Sequence, residues 1–390
     1  MKKILIITAR AGFPHGYGAS SILRKYSKGF VEKGYFTKVL LLRPSEEPDK
    51  NTAINDNIYG VYDGVNYEYM SKRVHTSRFF FARIFLYLFS CIRTLTEIFK
   101  NRREIERIFF YSPDYLLSVL SIQLLCKVLK IPLIGIKTES SEADKQRIKN
   151  PFWKLKEKIL YSLFSSMIVI TKYLKNQLQS FGYKGKISVL PIIVNENMYN
   201  HLELKTKKNK SLVYMGTLNY EEELIDLLTV YSHVKEKNRD WSLIIIGEFR
   251  SEKLKQKIKK IALQLNLKND VIWKGKLLAE EVSSSLINEG VMVLPRRKTE
   301  YSEGGFPIKL GEYLLTGSPV IVTRTGEIDQ YLEDGKDVFM VEPNNPYLFA
   351  SKVNEVIENY DSSLLVGKQG KEVAIKSFGS VSICQKMLEI

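Results

Sequence analysis

Cysteine is scarce in this chain of 390 residues. The three present, Cys91, Cys126 and Cys384, are far apart and odd in number. They offer neither a disulfide framework nor the paired spacing of a zinc or redox site, so a cytoplasmic, reducing setting is expected. The Asp-x-Asp pair that often holds a divalent cation does not occur. Helix-turn-helix, zinc-finger and RNA-recognition signatures are also missing, which argues against a nucleic-acid partner. Lys2-Lys3 and the apolar residues 4–7 mimic a secretion signal. That run is too short, and Gly12, Gly16 and Gly18 follow at once, so a first strand is expected there instead.

What is present is positive charge, unevenly placed. Residues 1–200 hold 32 Lys and Arg against 16 Asp and Glu, whereas residues 201–390 hold 27 of each. The first half should therefore face something anionic. Residues 78–99 are aromatic and helical in pattern, with Lys100, Arg102, Arg103 and Arg107 following. Their longest uncharged run, 84–92, falls far short of the ~20 residues that span a bilayer. Such a helix suits the plane of an anionic membrane, with peripheral attachment at its cytoplasmic face. Equally, its aromatics could fill the core. The two readings stay open at this point.

Short apolar runs alternate with helical patterns through both halves. They fall at 4–8, 38–42, 108–111, 133–136, 167–170 and 188–190, then at 212–215, 243–246, 271–273, 291–294, 320–322 and 339–341. Most are continuous rather than alternating, as parallel strands buried on both faces require. The fold class is α/β, with two doubly wound, Rossmann-like domains. Polar, lysine-rich residues 201–210 read as the linker, giving domains of 1–200 and 205–370, and residues 371–390 look helical.

Two segments carry the chemistry. After the first strand comes Phe13-Pro14-His15-Gly16-Tyr17-Gly18, where glycines let backbone approach a ligand and the next helix start can receive phosphate. A third glycine is lacking, and no acidic residue ends the next strand, so a dinucleotide dehydrogenase is excluded. The second segment, residues 301–323, runs from the turn Gly304-Gly305-Phe306-Pro307 into a short helix, then through Gly317 and Pro319 into a strand. Free amides at that helix start favour anions. Lys309 lies in the first turn and Glu312 three residues on, on roughly the same face. A cation with free amides suits a diphosphate, and a carboxylate one turn on suits sugar hydroxyls.

This second segment resembles the donor-binding motif of the retaining glycosyltransferases of family 4, in the group 1 glycosyltransferases. The match lies in Pro307, Lys309, Leu310 and Glu312 and in Thr316-Gly317-Ser318-Pro319-Val320. The resemblance implies the GT-B fold, two Rossmann-like domains facing across a cleft, with a C-terminal helix (371–390) returning to the first domain. It implies transfer of a hexose-type sugar from a nucleotide-diphosphate sugar to a glycan or lipid-linked acceptor. Configuration would be retained and no metal or other cofactor needed, in a role such as cell-surface polysaccharide synthesis. Donor contacts would come from Gly16, Gly18, Gly216, Glu303, Gly304, Gly305, Phe306, Pro307, Lys309, Leu310 and Glu312.

Two departures stand out. The family spacing puts its first glutamate at position 304, which is Gly304, and Glu303 is one residue early. The family's basic pair belongs in residues 216–223, which contain no Lys or Arg but three acids, Glu221, Glu222 and Glu223. The charge that stabilises the leaving diphosphate would instead come from Arg296, Arg297 or Lys298 after the strand 291–294, with Arg296 favoured and Lys309 its partner. No histidine occupies the acceptor-side loop 134–142, where Glu139 is the candidate substitute and His75 a second contact. The alternatives are a non-catalytic partner that keeps the fold, or an inverting GT-B transferase.

Overall fold

The computed structural model describes residues 2–16, 18–48, 54–139, 150–203 and 208–390. The chain divides into two compact units, Met1–Ile193 with Ser380–Ile390, and Val194–Gly379.

The first unit is built on a sheet of eight strands in the order β3-β4-β2-β1-β5-β6-β7-β8. In chain order its elements are β1 (Lys3–Thr8), α1 (Gly18–Glu32), β2 (Phe36–Leu41), β3 (Tyr59–Tyr62), β4 (Val65–Tyr69), α2 (Phe80–Lys100), β5 (Ile105–Tyr111), α3 (Leu116–Leu129), β6 (Leu133–Lys137), α4 (Pro151–Ser162), β7 (Ser166–Val169), α5 (Lys172–Ser180) and β8 (Lys186–Val189). All pairings are parallel except β3 with β4. Ile4, Leu5, Ile6 and Ile7 of β1 are fully covered, which is why the central strands read as continuous apolar runs.

Sequence patterning missed the β3–β4 hairpin. Its signal was present: Asp63-Gly64 sits between alternating residues and adopts positive φ at both positions, 52° and 78°. That is the two-residue turn whose twist matches paired strands.

The second unit has six parallel strands in the order β11-β10-β9-β12-β13-β14. Its elements are α6 (Asn197–Asn200), β9 (Ser211–Met215), α7 (Glu221–Lys237), β10 (Ser242–Ile246), α8 (Glu252–Gln264), β11 (Val271–Gly275), α9 (Ala279–Leu286), β12 (Val291–Leu294), α10 (Glu300–Gly304), α11 (Ile308–Leu315), β13 (Val320–Thr323), β14 (Phe339–Val341), α12 (Pro346–Glu358) and α13 (Tyr360–Phe378). The last helix, α14 (Ser380–Leu388), packs on α1 in the first unit. Contact there is close: a Cβ on Gly29 would lie 2.6 Å from Cys384 Sγ.

Both sheets reverse strand order once, between β1 and β5 in the first and between β9 and β12 in the second. In open α/β sheets the loops leaving such a point splay to opposite faces and open a crevice at the strand C-termini. The crevice of the second unit is therefore bounded by residues following Met215 and Leu294.

Candidate donor site in the second unit

The two loops at the β9/β12 reversal deliver Gly216 and Arg296. Gly216 follows Met215 directly, and Arg296 follows Leu294 after one proline. Lys309 joins them from the first turn of α11. Its ammonium lies against the Cα of Gly216, where an added methyl would sit 2.1 Å from Nζ. It also lies 5.5 Å from the ring centre of Tyr214. No hydrogen bond or ion pair holds Lys309 among the described residues. Burial, with the Arg296 charge nearby, pulls its pKa down to about 8 although Glu223 opposes the shift.

Arg296 is 7% exposed, and its Nη1 has no hydrogen-bond partner among the described residues. Its guanidinium lies 5.6 Å from the Tyr301 ring, which stacks on Tyr220. A buried guanidinium nitrogen with no acceptor is costly. Two cations side by side, with no carboxylate hydrogen-bonded to either among the described residues, make a place for a polyanion.

The neighbouring Arg297 is occupied. It donates to both carboxylate oxygens of Asp226, at 2.6 and 2.9 Å, and to Glu222 at 2.7 Å. The acids of the 216–223 region are likewise engaged. They form the first turn of α7, where the helix dipole favours them. Glu221 pairs with Lys257 at 2.5 Å, Glu222 with Arg297, and Glu223 accepts the Tyr214 hydroxyl at 2.8 Å. Lys298 is bound through its backbone to Asn344 Oδ1 at 3.2 Å.

The turn before α11 differs in detail from the sequence expectation. Gly304 ends the helix α10, capped by Thr299, whose Oγ1 accepts Ser302 N–H at 3.1 Å. The turn proper is Gly305-Phe306-Pro307. Phe306 is buried in an aromatic cluster with Tyr331 and Phe378. It anchors the turn from behind. Leu310 is fully buried on the inner side of α11. Glu303 Oε1 accepts the backbone N–H of Gly326 at 3.1 Å and so clamps the loop after β13. Glu312 is 9% exposed and its Oε2 accepts the Tyr199 hydroxyl at 2.9 Å. Sequence reasoning had not found Tyr199. It is 113 residues away, and nothing in the local pattern marks it.

The remaining candidates belong to the first unit. Gly16 lies in the loop after β1, at that sheet's own reversal, and a Cβ there would meet Ser20 Oγ at 2.1 Å. Gly18 is the first residue of α1 rather than part of the loop. Asn55 fixes the loop by accepting His15 N–H at 2.9 Å and donating to His15 O at 3.1 Å. Tyr69 does the same at Phe13, accepting its N–H at 3.3 Å and donating to its carbonyl at 3.2 Å. Glu139 is exposed just beyond β6. His75 is tied to the carbonyl of Glu47 at 3.0 Å, a structural bond. Part of the acceptor-side loop, residues 140–142, lies outside the described residues.

Similarity to known proteins follows this geometry. Residues 196–373 match the family Glycosyl transferases group 1. An uncharacterized glycosyltransferase of Methanocaldococcus jannaschii is 26% identical over 210 residues, 54% of this chain and 54% of that protein. The chain thus spans about half the length of that curated relative. Another, from Bacillus subtilis, is 20% identical over 242 residues, covering 62% of this chain and 65% of that one. Among solved structures, sucrose-phosphate synthase from Thermosynechococcus elongatus superposes with a TM-score of 0.73 at 15% identity, covering 100% of this chain and 98% of the other. Anabaena HepE in complex with UDP and glucose gives 0.69 at 14% identity, with 100% and 99% covered. The chain has the GT-B fold, and its second unit carries a glycosyl transferases group 1 domain.

Proposed function

We propose that this protein is a glycosyltransferase that takes a hexose-type sugar from a nucleoside diphosphate sugar and attaches it to a hydroxyl of a glycan or lipid-linked acceptor. The observation that carries the reading is the pair Lys309 and Arg296 at the β9/β12 reversal, two cations with no hydrogen-bonded or ion-paired carboxylate among the described residues. That a structurally similar Anabaena protein was solved in complex with UDP supports the reading.

In this reading the bond between the sugar's anomeric carbon and the β-phosphate oxygen breaks, leaving an oxocarbenium-like sugar. The acceptor oxygen attacks from the same face, and its proton passes to the departing diphosphate. Configuration is retained. The chain's task is then electrostatic. Charge builds on the diphosphate as the bond breaks, and fixed donors in a partly desolvated site stabilise it without reorganising. Arg296 and Lys309 supply that charge in place of a metal ion and of the basic pair absent from residues 216–223. Glu312, steadied by Tyr199, would accept from the ribose hydroxyls.

The test is a donor screen measuring nucleotide release from UDP- and GDP-sugars with wild-type protein and with Lys309→Ala and Glu312→Ala. Turnover with one donor class, crippled in both variants, supports the reading. Full activity in both removes the site assignment. Proton NMR of the product's anomeric signal reads retention directly.

A further inference from the structure

Helix α2 is inside out. Its buried residues are Ser90, Cys91, Thr94 and Ile98, and none is a phenylalanine. Its sheet-facing side is fastened by charge. Arg93 Nη2 donates to Glu68 at 2.7 Å, and Lys38 Nζ bridges Glu68 and Glu97 at 2.9 and 2.8 Å. The opposite side presents Phe81, Phe85, Leu88, Ile92 and Phe99, with Phe81 82% and Phe85 69% exposed. Their spacing of four, three, four and seven residues keeps them on one stripe. The core reading of this helix therefore fails.

The stripe continues on its neighbours. Strand order reverses between β1 and β5, so right-handed crossovers put α2, α3 and α4 on the face of the sheet opposite α1. Accordingly α2 packs beside α3, and α3 beside α4. Helix α3 exposes Leu117, Leu120, Leu124 and Val128, and α4 exposes Phe152, Leu155 and Ile159. Each set recurs at three and four residues, so three adjacent helices turn an apolar stripe to the outside. A monomer rarely leaves so much contiguous apolar surface without a use.

Charge selects the occupant. No exposed carboxylate lies on these helices: Glu97 is paired with Lys38, and Glu157 is buried. Lys100, Lys127 and Lys154 are exposed on them. A second copy docking through this face would bring lysine against lysine. An anionic lipid surface satisfies both features, taking the aromatic residues at the acyl boundary and the lysines among the headgroups. We infer that the α2–α3–α4 face is a membrane-docking surface specific for anionic lipid. Each lysine near such a surface favours binding by about fivefold, so three give roughly a hundredfold preference over neutral lipid. The inference stands apart from the transferase reading.

Flotation at low salt tests it, with vesicles of phosphatidylcholine alone or mixed with phosphatidylglycerol. The full chain should float with the mixed vesicles and stay behind with the neutral ones. Combined Phe81→Ser, Phe85→Ser and Ile92→Ser should abolish flotation, all three positions being exposed and tolerant of a polar residue. Lys100→Glu, Lys127→Glu and Lys154→Glu together should remove the preference for phosphatidylglycerol. Failure of the wild type to float, or undiminished flotation of either variant, overturns the inference. So does a concentration-dependent dimer, seen by sedimentation, that the phenylalanine changes abolish. Calorimetric binding of UDP by the same variants reports separately on the donor site, and it should be unchanged.

Discussion

The Lys309 ammonium rests on Gly216, so close that a β-carbon at residue 216 would stand 2.1 Å from Nζ. The glycine that closes β9 thereby leaves the space that the cation occupies, and among the described residues the cation is held by shape, with no carboxylate hydrogen-bonded to it. Gly216→Ala should cost little stability, because the displaced atom is the far end of a flexible side chain. It should still lower kcat/KM for donor by about tenfold to a hundredfold, since misplacing a charged group by an ångström weakens transition-state stabilisation on that scale. Thermal unfolding and steady-state kinetics on the one variant check both halves.

Adjacent arginines should respond in opposite ways. Arg296 has a buried guanidinium nitrogen without an acceptor, whereas Arg297 grips Asp226 and Glu222. Arg296→Met removes an unsatisfied buried charge and should leave stability unchanged or raise it by about 1 kcal/mol, while donor affinity falls. Arg297→Met leaves buried Asp226 unpaired and should destabilise by about 2–4 kcal/mol. Denaturant unfolding of the two variants, side by side, makes the comparison.

The Lys309 pKa of about 8 gives a signed pH dependence. Burial also pulls Lys208 down to about 8, where it donates to the carbonyls of Ile287 and Thr316. Both folded values lie below the unfolded one, so between pH 8 and about 10.4 the unfolded chain binds more protons. Stability should rise with pH across that window, and this contribution should be flat below it. Diphosphate binding at the proposed site should run the other way, because that site would need Lys309 charged. Calorimetry of UDP binding in buffers of different ionisation enthalpy should show proton uptake at pH 8 to 9 and little at pH 6.5.

Glu303 and Glu312 can be separated by conservative variants. If Glu303 acts only through its bond to Gly326, Glu303→Gln keeps an acceptor and should retain most activity, while Glu303→Ala should lose more. Tyr199→Phe strips the buried Glu312 of a donor and should destabilise by about 1–2 kcal/mol. If Glu312 binds donor as proposed, in ground and transition states alike, the effect on KM should exceed that on kcat.

Local periodicity was enough for the fold class. Twelve strands show as apolar runs, most of them because parallel strands covered on both faces need no polar residue, and the doubly wound class follows from their alternation with helices. The hairpin Tyr59–Tyr62 with Val65–Tyr69 escaped because it sits at the sheet edge, where Tyr59 and Val61 are exposed and no continuous run forms. The site was less legible. Arg296 and Arg297 are identical in type and adjacent, and only tertiary contacts separate a free guanidinium from a tethered one. Likewise, period alone shows that α2 has an apolar side without saying whether the sheet or the solvent receives it. The ion pairs of Glu68 with Lys38 and Arg93 decide that, and they join residues far apart in the chain.

The proposed function requires a diphosphate gripped between Lys309 and Arg296, and calorimetric titration of UDP and GDP into the wild type and into Lys309→Met/Arg296→Met tests it most directly. The wild type should bind one of the two nucleotides, and the double variant, folded by circular dichroism, should bind it at least about a hundredfold more weakly, two charge-assisted contacts being lost. Equal affinity in the two proteins would contradict the account.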